Sequence, residues 1–194
     1  DKATLLMHTE PKDPNGQDLV HIMKELNLLD GQVMLSTQKM PPQDLANIYS
    51  AVDCTINISD AEGFGLSTLE SLACETPIIV TMTGGLQEQV TDGTNWFGEG
   101  IQPSSKAIIG SQEVPYIYED RLNKQDFLQA IEKIYNMTPD ERAMIGAAGR
   151  QHVINNYGFS KYCSTWYETM KTIIETKGSW EQRKNYKSWS ITEL

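Results

Sequence analysis

Apolar residues along this chain alternate between short unbroken runs and runs at helical spacing. Residues 3–9 (ATLLMHT) form an apolar run of strand length, read as a buried strand. Residues 10–16 (EPKDPNG) hold two prolines, an Asn-Gly pair and two acids, the composition of a turn. Within residues 17–28 the apolar positions are Leu19, Val20, Ile22, Met23 and Leu26, the spacing of one helix face. Residues 33–36 predict a short strand. Residues 42–52 predict a helix with Leu45, Ile48, Tyr49 and Val52 on one side. Residues 54–58 (CTINI) read as a strand, 66–74 as a helix and 77–81 (PIIVT) as a strand; Gly84-Gly85 breaks the pattern before a brief helix at 86–90. Strand and helix thus alternate four times. That order predicts an α/β fold, a Rossmann-like doubly wound parallel sheet covered on both faces. Ligands of such sheets sit in the crevice beyond the carboxyl ends of the strands.

The rhythm fails after Asp92-Gly93. Residues 96–121 contain three glycines, two prolines and the stretch VPYIY, and predict an irregular, lid-like excursion. A helix resumes over 124–137. Thr138-Pro139-Asp140-Glu141 is a helix start, with Thr as cap, Pro in the first position and acids in the first turn. That helix runs to about residue 156, and Gly158 stops it. A last helix over 159–176 carries the stripe Tyr162, Trp166, Met170, Ile173 and Ile174. The tail from Gly178 has Trp180, Tyr186 and Trp189 among Arg183, Lys184 and Lys187. The domain organisation expected is one α/β domain over residues 1–177, with extra C-terminal helices, and a tail over 178–194. The chain lacks an initiator Met and opens almost at once on a strand, so it is expected to be part of a longer protein.

Charge narrows the partners. The net charge is -10, with no basic face, which argues against DNA, RNA and strongly anionic membranes. At 39% apolar and 22% charged the chain has the composition of a globular domain with a core. No apolar run is long enough to span a bilayer, and association of this segment with a membrane is not expected. Cys54, Cys74 and Cys163 are odd in number and have neither metal-ligand nor disulfide spacing; they read as small apolar fillers in a reducing, cytoplasmic compartment. The sequons at Asn57 and Asn136 read as chance matches.

The stretch with most chemistry is EGFGLSTLE, residues 62–70, which follows a strand and opens a helix. Two readings stand. In the first, Ser67 caps the helix, Glu70 reaches back to it in a capping box, and Glu62 is an exposed loop acid. In the second, the N–H groups of Phe64, Gly65 and Leu66 form a cradle for a phosphate at the helix start, and the glycines let a ligand approach the backbone. Carboxylates beside such a cradle would not touch phosphate. One would grip a ribose diol, and the other would stabilise a carbon that becomes cationic. A nucleotide sugar has a diphosphate, a ribose diol and an anomeric carbon that develops oxocarbenium character.

Residues 58–93 (ISDAEGFGLSTLESLACETPIIVTMTGGLQEQVTDG) resemble the C-terminal, donor-binding domain of the family-4 retaining glycosyltransferases of the GT-B fold. The family signature, two glutamates separated by seven residues within an EGFGL motif, stands here as Glu62-Gly63-Phe64-Gly65-Leu66 and Glu70. A following A-x-G-x-P-V-V motif matches residues 73–80, and a G-G-x-x-E-x-V-x-D-G motif matches residues 84–93. Residues 26–59 resemble the family's upstream pattern. The resemblance implies a nucleotide-diphosphate sugar as donor, a glycan or other hydroxyl compound as acceptor, and transfer with retention and without a metal or cofactor. It places Glu62 by the transferred sugar as the catalytic residue. Gly63, Phe64, Gly65, Leu66 and Ser67 hold sugar and diphosphate, and Glu70 grips the ribose. Ser36, Thr37 and Met40 border the base. It also implies an N-terminal domain that binds the acceptor, and a Gly-Arg…Lys segment for the diphosphate charge, both preceding residue 1; the chain alone is then expected to be inactive. Two positions depart from the family pattern: Ile58 replaces a common Pro, and Glu75 replaces the glycine after the helix, so that the helix end is expected to differ.

Other functions fit less. A glycoside hydrolase needs two carboxyls on separate elements flanking the sugar. A nucleotide-sugar epimerase on the same fold, or a non-catalytic nucleotide-sugar-binding module, remains as the alternative. Among other polar residues, His8 ends a strand at the crevice edge, His21 and His152 sit in helices and read as surface or packing positions, and Lys39 is the nearest cation in the base-side loop. Met7, Met23, Met34 and Met40 read as core filler, and the tail as a segment that docks on the N-terminal domain.

Overall fold

A computed structural model describes residues 3–14, 16–184 and 191–192. The chain divides into two compact units, Asp1–Leu45 and Ala46–Leu194.

In the first unit β1 (Leu5–His8) pairs in parallel with β2 (Val33–Ser36), with Leu5 opposite Val33 and His8 opposite Ser36. Between them lies α1 (Leu19–Glu25), shorter than the spacing predicts. Asp18 sets its start by accepting from the His21 N–H at 3.0 Å, and that bond holds the Asp18 carboxyl below its ordinary pKa. Left-handed Asn27, at φ 55°, follows its end. The buried strand expected at residues 3–9 is not buried: Leu5 is 47% exposed and Met34, read as core filler, 55%. A two-stranded pair with one short helix has too little apolar surface to enclose itself, and Met23 is the buried apolar side chain among the described residues of this unit. Helix α2 (Pro42–Ala51) then follows.

The second unit holds the parallel sheet β3 (Thr55–Asn57), β4 (Ile78–Thr81) and β5 (Gly98–Ile101), with β4 in the middle. All four residues of β4 are buried, as a central strand covered on both faces requires. Its side chains split by parity. Ile78 and Val80 pack with Leu72 of α3 (Leu66–Ala73), with Leu86 and Val90 of α4 (Leu86–Val90), and with Phe97. Ile79 packs on the other face with Ile101 and with Ala130 and Ile134 of α5 (Lys124–Asn136). This is the α/β architecture the alternation predicts, with helices on both faces of parallel strands.

Two stretches differ from expectation. The irregular excursion over 96–121 instead contains β5, parallel to β4, and an antiparallel hairpin of β6 (Ser105–Ile109) and β7 (Ile117–Arg121). The sequence GEGI hides β5 because glycine there reports close approach, not strand propensity. A Cβ at Gly98 would lie 1.8 Å from the Ile78 carbonyl oxygen. The end of α3 also keeps the geometry its Glu75 was expected to change. Glu75 takes a left-handed φ of 63°, its N–H donates to Leu72 O, and Thr76 N–H donates to Ser71 O, each at 3.0 Å. That is a Schellman closure with glutamate in the glycine position.

Thr138 and Glu141 form the capping box that opens α6 (Pro139–Tyr157). Helix α6 packs on α3 through small residues: a Cβ at Gly149 would meet Leu72 Cδ2 at 2.6 Å, and one at Gly146 the Glu75 carbonyl at 1.8 Å. The last helix, α7 (Phe159–Lys177), buries none of its side chains, so its apolar stripe is a surface and not core. In the tail, Arg183 lies over the Trp180 ring; Tyr186, Lys187 and Trp189 fall outside the described residues. Among the described residues no helix is long and apolar enough to cross a membrane.

Candidate functional site

The loop from β3 to α3 is built around fixed carbonyl groups. Gly85 N–H donates to Gly63 O at 3.2 Å. The side-chain amide of Gln89 donates to Phe64 O at 2.5 Å and to Gly65 O at 3.1 Å. Gly65 O also receives Leu69 N–H, and Thr68 Oγ1 lies 2.9 Å from it. In a planar trans peptide the N–H points opposite to the C=O of the same unit. Three carbonyls tied to Gly85 and Gln89 therefore turn the N–H groups of Phe64, Gly65 and Leu66 to the side away from those partners, where Phe64 and Leu66 are exposed and Gly65 is buried. Among the described residues these three groups donate to no protein acceptor. They stand at the positive end of α3.

Glycine makes this packing possible. Gly65 has φ 84°, and a Cβ there would lie 2.5 Å from Leu86 Cδ2. Gly84 has φ 47°, and a Cβ there would lie 1.6 Å from the Glu62 carbonyl oxygen. The Gly84-Gly85 turn is thus pressed against the backbone of residues 62–64. Behind it, α6 braces the assembly. Phe64 meets Tyr157 edge-on at 5.9 Å, and His152 Nε2 bonds the Glu88 carbonyl at 2.9 Å. His152, read as a surface or packing position, is 9% exposed and packs on the Phe97 ring, so packing is its role.

The two glutamates occupy different settings. Glu62 is half-buried and receives the Asn57 side-chain amide at 3.4 Å; Asn57 is itself oriented by Ser59, which donates twice to its Oδ1. Glu70 is exposed and accepts the Tyr49 hydroxyl at 3.0 Å; its second oxygen has no hydrogen-bond donor among the described residues. Burial first, and the Glu70 carboxylate next, push the Tyr49 phenol well above its ordinary range, so it stays the donor. The capping-box reading fails: the cap position of α3 is Gly65, with no side-chain cap, and Glu70 turns to Tyr49 instead of back to Ser67.

Asp60, just before the site, is held by the hairpin. Arg121 Nη1 lies 2.8 Å from Asp60 Oδ2, and Asp120 N–H donates to Asp60 O at 2.8 Å. Arg121 also pairs with Glu119, so this cation is already committed to carboxylates. The base-side residues belong to the first unit. There Ser36 Oγ bonds His8 Nδ1 at 2.9 Å, Thr37 and Lys39 are exposed, and Met40 is half-buried.

Sequence reasoning passes over Gln89, Tyr49 and Asn57. Gln89 leaves a trace: in LQEQV it shares a helix face with Leu86 and Val90, and a polar residue on a buried face needs partners. Tyr49 and Asn57 leave none, because their partners lie 21 and 5 residues away in the chain.

The model of the family described as "Glycosyl transferases group 1" matches residues 13–152. The chain belongs to that family. The site residues on β3, α3 and α4, and His152 of α6, fall within the match, and Tyr157 lies beyond it. Among curated relatives, the D-inositol 3-phosphate glycosyltransferase of Streptosporangium roseum is 41% identical over 75 residues, covering 38% of this chain and 17% of its own. That of Paenarthrobacter aurescens is 30% identical over 110 residues, 56% of this chain and 26% of its own. The chain thus spans 17% and 26% of the length of these two relatives. Among solved structures, sucrose-phosphate synthase from Thermosynechococcus elongatus superposes with a TM-score of 0.66 at 23% identity, over 89% of this chain and 39% of that one. A glycosyltransferase from Rickettsia africae does so with a TM-score of 0.66 at 22% identity, over 90% and 41%. The fold is thus similar to that of the GT-B glycosyltransferases, and glycosyl transfer is the activity that group 1 membership supports; neither the epimerase nor the binding-module alternative is favoured.

Proposed function

We propose that this group 1 chain is the donor-binding part of a retaining glycosyltransferase that takes a nucleotide-diphosphate sugar. The observation that carries the reading is the trio of outward N–H groups at Phe64, Gly65 and Leu66, flanked by Glu62 and Glu70. The amides receive the diphosphate, with Ser67 at the same helix turn. Glu70, with one oxygen occupied by Tyr49, presents the other to a ribose hydroxyl. Glu62 lies beside the transferred sugar and stabilises the cationic anomeric carbon. The acceptor hydroxyl forms its new C–O bond on the face from which the diphosphate departs. Its proton passes to the leaving phosphate oxygen, the anionic base on that face. Backbone amides stabilise the departing charge, so the reaction takes no metal or cofactor. An acceptor-binding N-terminal domain of the same protein completes the site, and the α7 surface and the tail, over 178–194, pack on it. Residues 1–177 constitute the donor domain and are inactive without that partner.

The test is Glu62→Gln in the full-length protein that carries the acceptor-binding domain. Turnover is expected to fall by about a hundredfold or more while donor affinity changes only a few-fold. The anomeric proton of the product, followed by NMR from the first minutes, reports retention directly. An inverted product refutes the mechanism, and an unaffected turnover removes Glu62 from the chemistry.

A further inference from the structure

Gln89 is an unusual residue for its place. It is fully buried, as are its neighbours Leu86 and Val90 on the same face of α4, where an aliphatic side chain would pack at no polar cost. Every hydrogen-bonding group of its amide is nonetheless used. Nε2 donates to the carbonyls of Phe64 and Gly65, and Oε1 receives the Thr68 hydroxyl at 2.6 Å. Thr68 is fully buried too. The orientation of the amide is unambiguous, because a flipped Gln89 would set its oxygen against two carbonyl oxygens. The helix bearing Gln89 is anchored in turn: the Glu88 carbonyl accepts His152 Nε2 and the Tyr157 hydroxyl from α6.

We infer that Gln89 is a positioning residue that holds the peptides of Phe64 and Gly65 in the orientation that turns the Gly65 and Leu66 N–H groups toward a diphosphate. The inference rests on the donor-site reading above and extends it to a residue that does not touch the ligand. Thr68 is the second member of the bracket. Its single hydroxyl proton goes to Gln89 Oε1, which fixes the face of the amide, and its oxygen packs 2.9 Å from the Gly65 carbonyl oxygen. Without the bracket the two peptides lose the partner that defines their rotation. The amides then no longer present a fixed pair to a second phosphate. The part of recognition that depends on Gln89 is therefore the gain of diphosphate over monophosphate, and not recognition of the nucleoside.

Gln89→Met keeps the length of the side chain and removes both donors. Gln89→Glu keeps its shape and leaves at most one. Both are made in the full chain. Two readouts are taken: amide 1H–15N resonances of Gly65 and Leu66 without ligand, and affinities for a nucleoside diphosphate and the matching monophosphate. Both variants are expected to shift the Gly65 and Leu66 resonances while those of α5 stay in place. The diphosphate-to-monophosphate affinity ratio is expected to fall about tenfold. If the wild-type protein discriminates and both variants discriminate equally well, Gln89 is a packing residue and the inference is overturned. If the wild-type protein binds no nucleoside diphosphate, the donor reading itself fails. The spectra then decide the positioning role: shifted Gly65 and Leu66 resonances support it, and unshifted ones overturn it.

Discussion

Gly84→Ala tests whether the glycine pair shapes the site or merely follows it. A Cβ at Gly84 would lie 1.6 Å from the Glu62 carbonyl oxygen and 2.8 Å from its carbonyl carbon. Both are backbone atoms, so no rotamer change relieves the clash. The loop of residues 62–64 or the turn at 84–85 must move. The φ of 47° adds a left-handed cost for alanine of about 1 kcal/mol, and enforced overpacking adds about 1–3 kcal/mol. The total, about 2–4 kcal/mol, corresponds to a fall in Tm of roughly 4–16 °C for a chain of this size. Gly93 supplies the control. Its φ of 92° also disfavours alanine, yet a Cβ there meets nothing within 4 Å. Gly93→Ala should therefore show only the torsional part, about 1 kcal/mol. Thermal unfolding of both variants gives the difference, and titration with a nucleoside diphosphate shows whether the loop moved. Gly84→Ala is expected to lose both stability and ligand affinity, and Gly93→Ala to keep its affinity. Equal Tm values for the two variants would refute the argument that backbone contact at Glu62 fixes this loop.

Glu75→Gly should stabilise the protein by about 1 kcal/mol in denaturant unfolding, because glycine adopts φ 63° without strain and the Arg150 pair lost, at 3.6 Å between half-exposed side chains, contributes little. A decrease in stability would show that the Arg150 pair outweighs the strain. Asp92 accepts from the N–H groups of Asn95 and Thr94 and from the Asn95 side chain, which lowers its pKa from 3.8 to about 2. A depressed folded-state pKa means that the stabilisation is present above about 4 and is lost as pH falls through about 2. The destabilisation caused by Asp92→Ala should accordingly shrink over that window, and a difference independent of pH would contradict the assignment.

The parts of the molecule legible in the sequence are those whose signal is local. Thr138, Pro139 and Glu141 announce a capped helix because all their partners lie within one turn. The apolar run ending at Val80 and Thr81 announces a central strand because both of its faces are covered. Strand β5 is illegible because Gly98 reports contact with Ile78 and not strand propensity. The stripe of α7 is legible as amphipathic, yet periodicity alone does not say which surface covers it. At the site, the glutamates and glycines are readable as a motif. The residues that hold them are not, since Tyr49 reaches Glu70 and Gln89 reaches Gly65 only after the fold has brought distant turns together. At Glu75 a local rule predicted an altered helix end, yet Glu75 itself takes the left-handed φ, with its carbonyl packed against Gly146.

The central claim is that the amides of Phe64, Gly65 and Leu66 and the carboxylate of Glu70 receive a nucleoside diphosphate. Calorimetric titration of the full chain with UDP, GDP and ADP and their sugars, with Glu70→Ala alongside, tests it most directly. One nucleotide should bind, and Glu70→Ala should weaken it about tenfold through loss of a charge-assisted hydrogen bond to the ribose. Absence of binding by any of them, or undiminished binding by Glu70→Ala, would contradict the account.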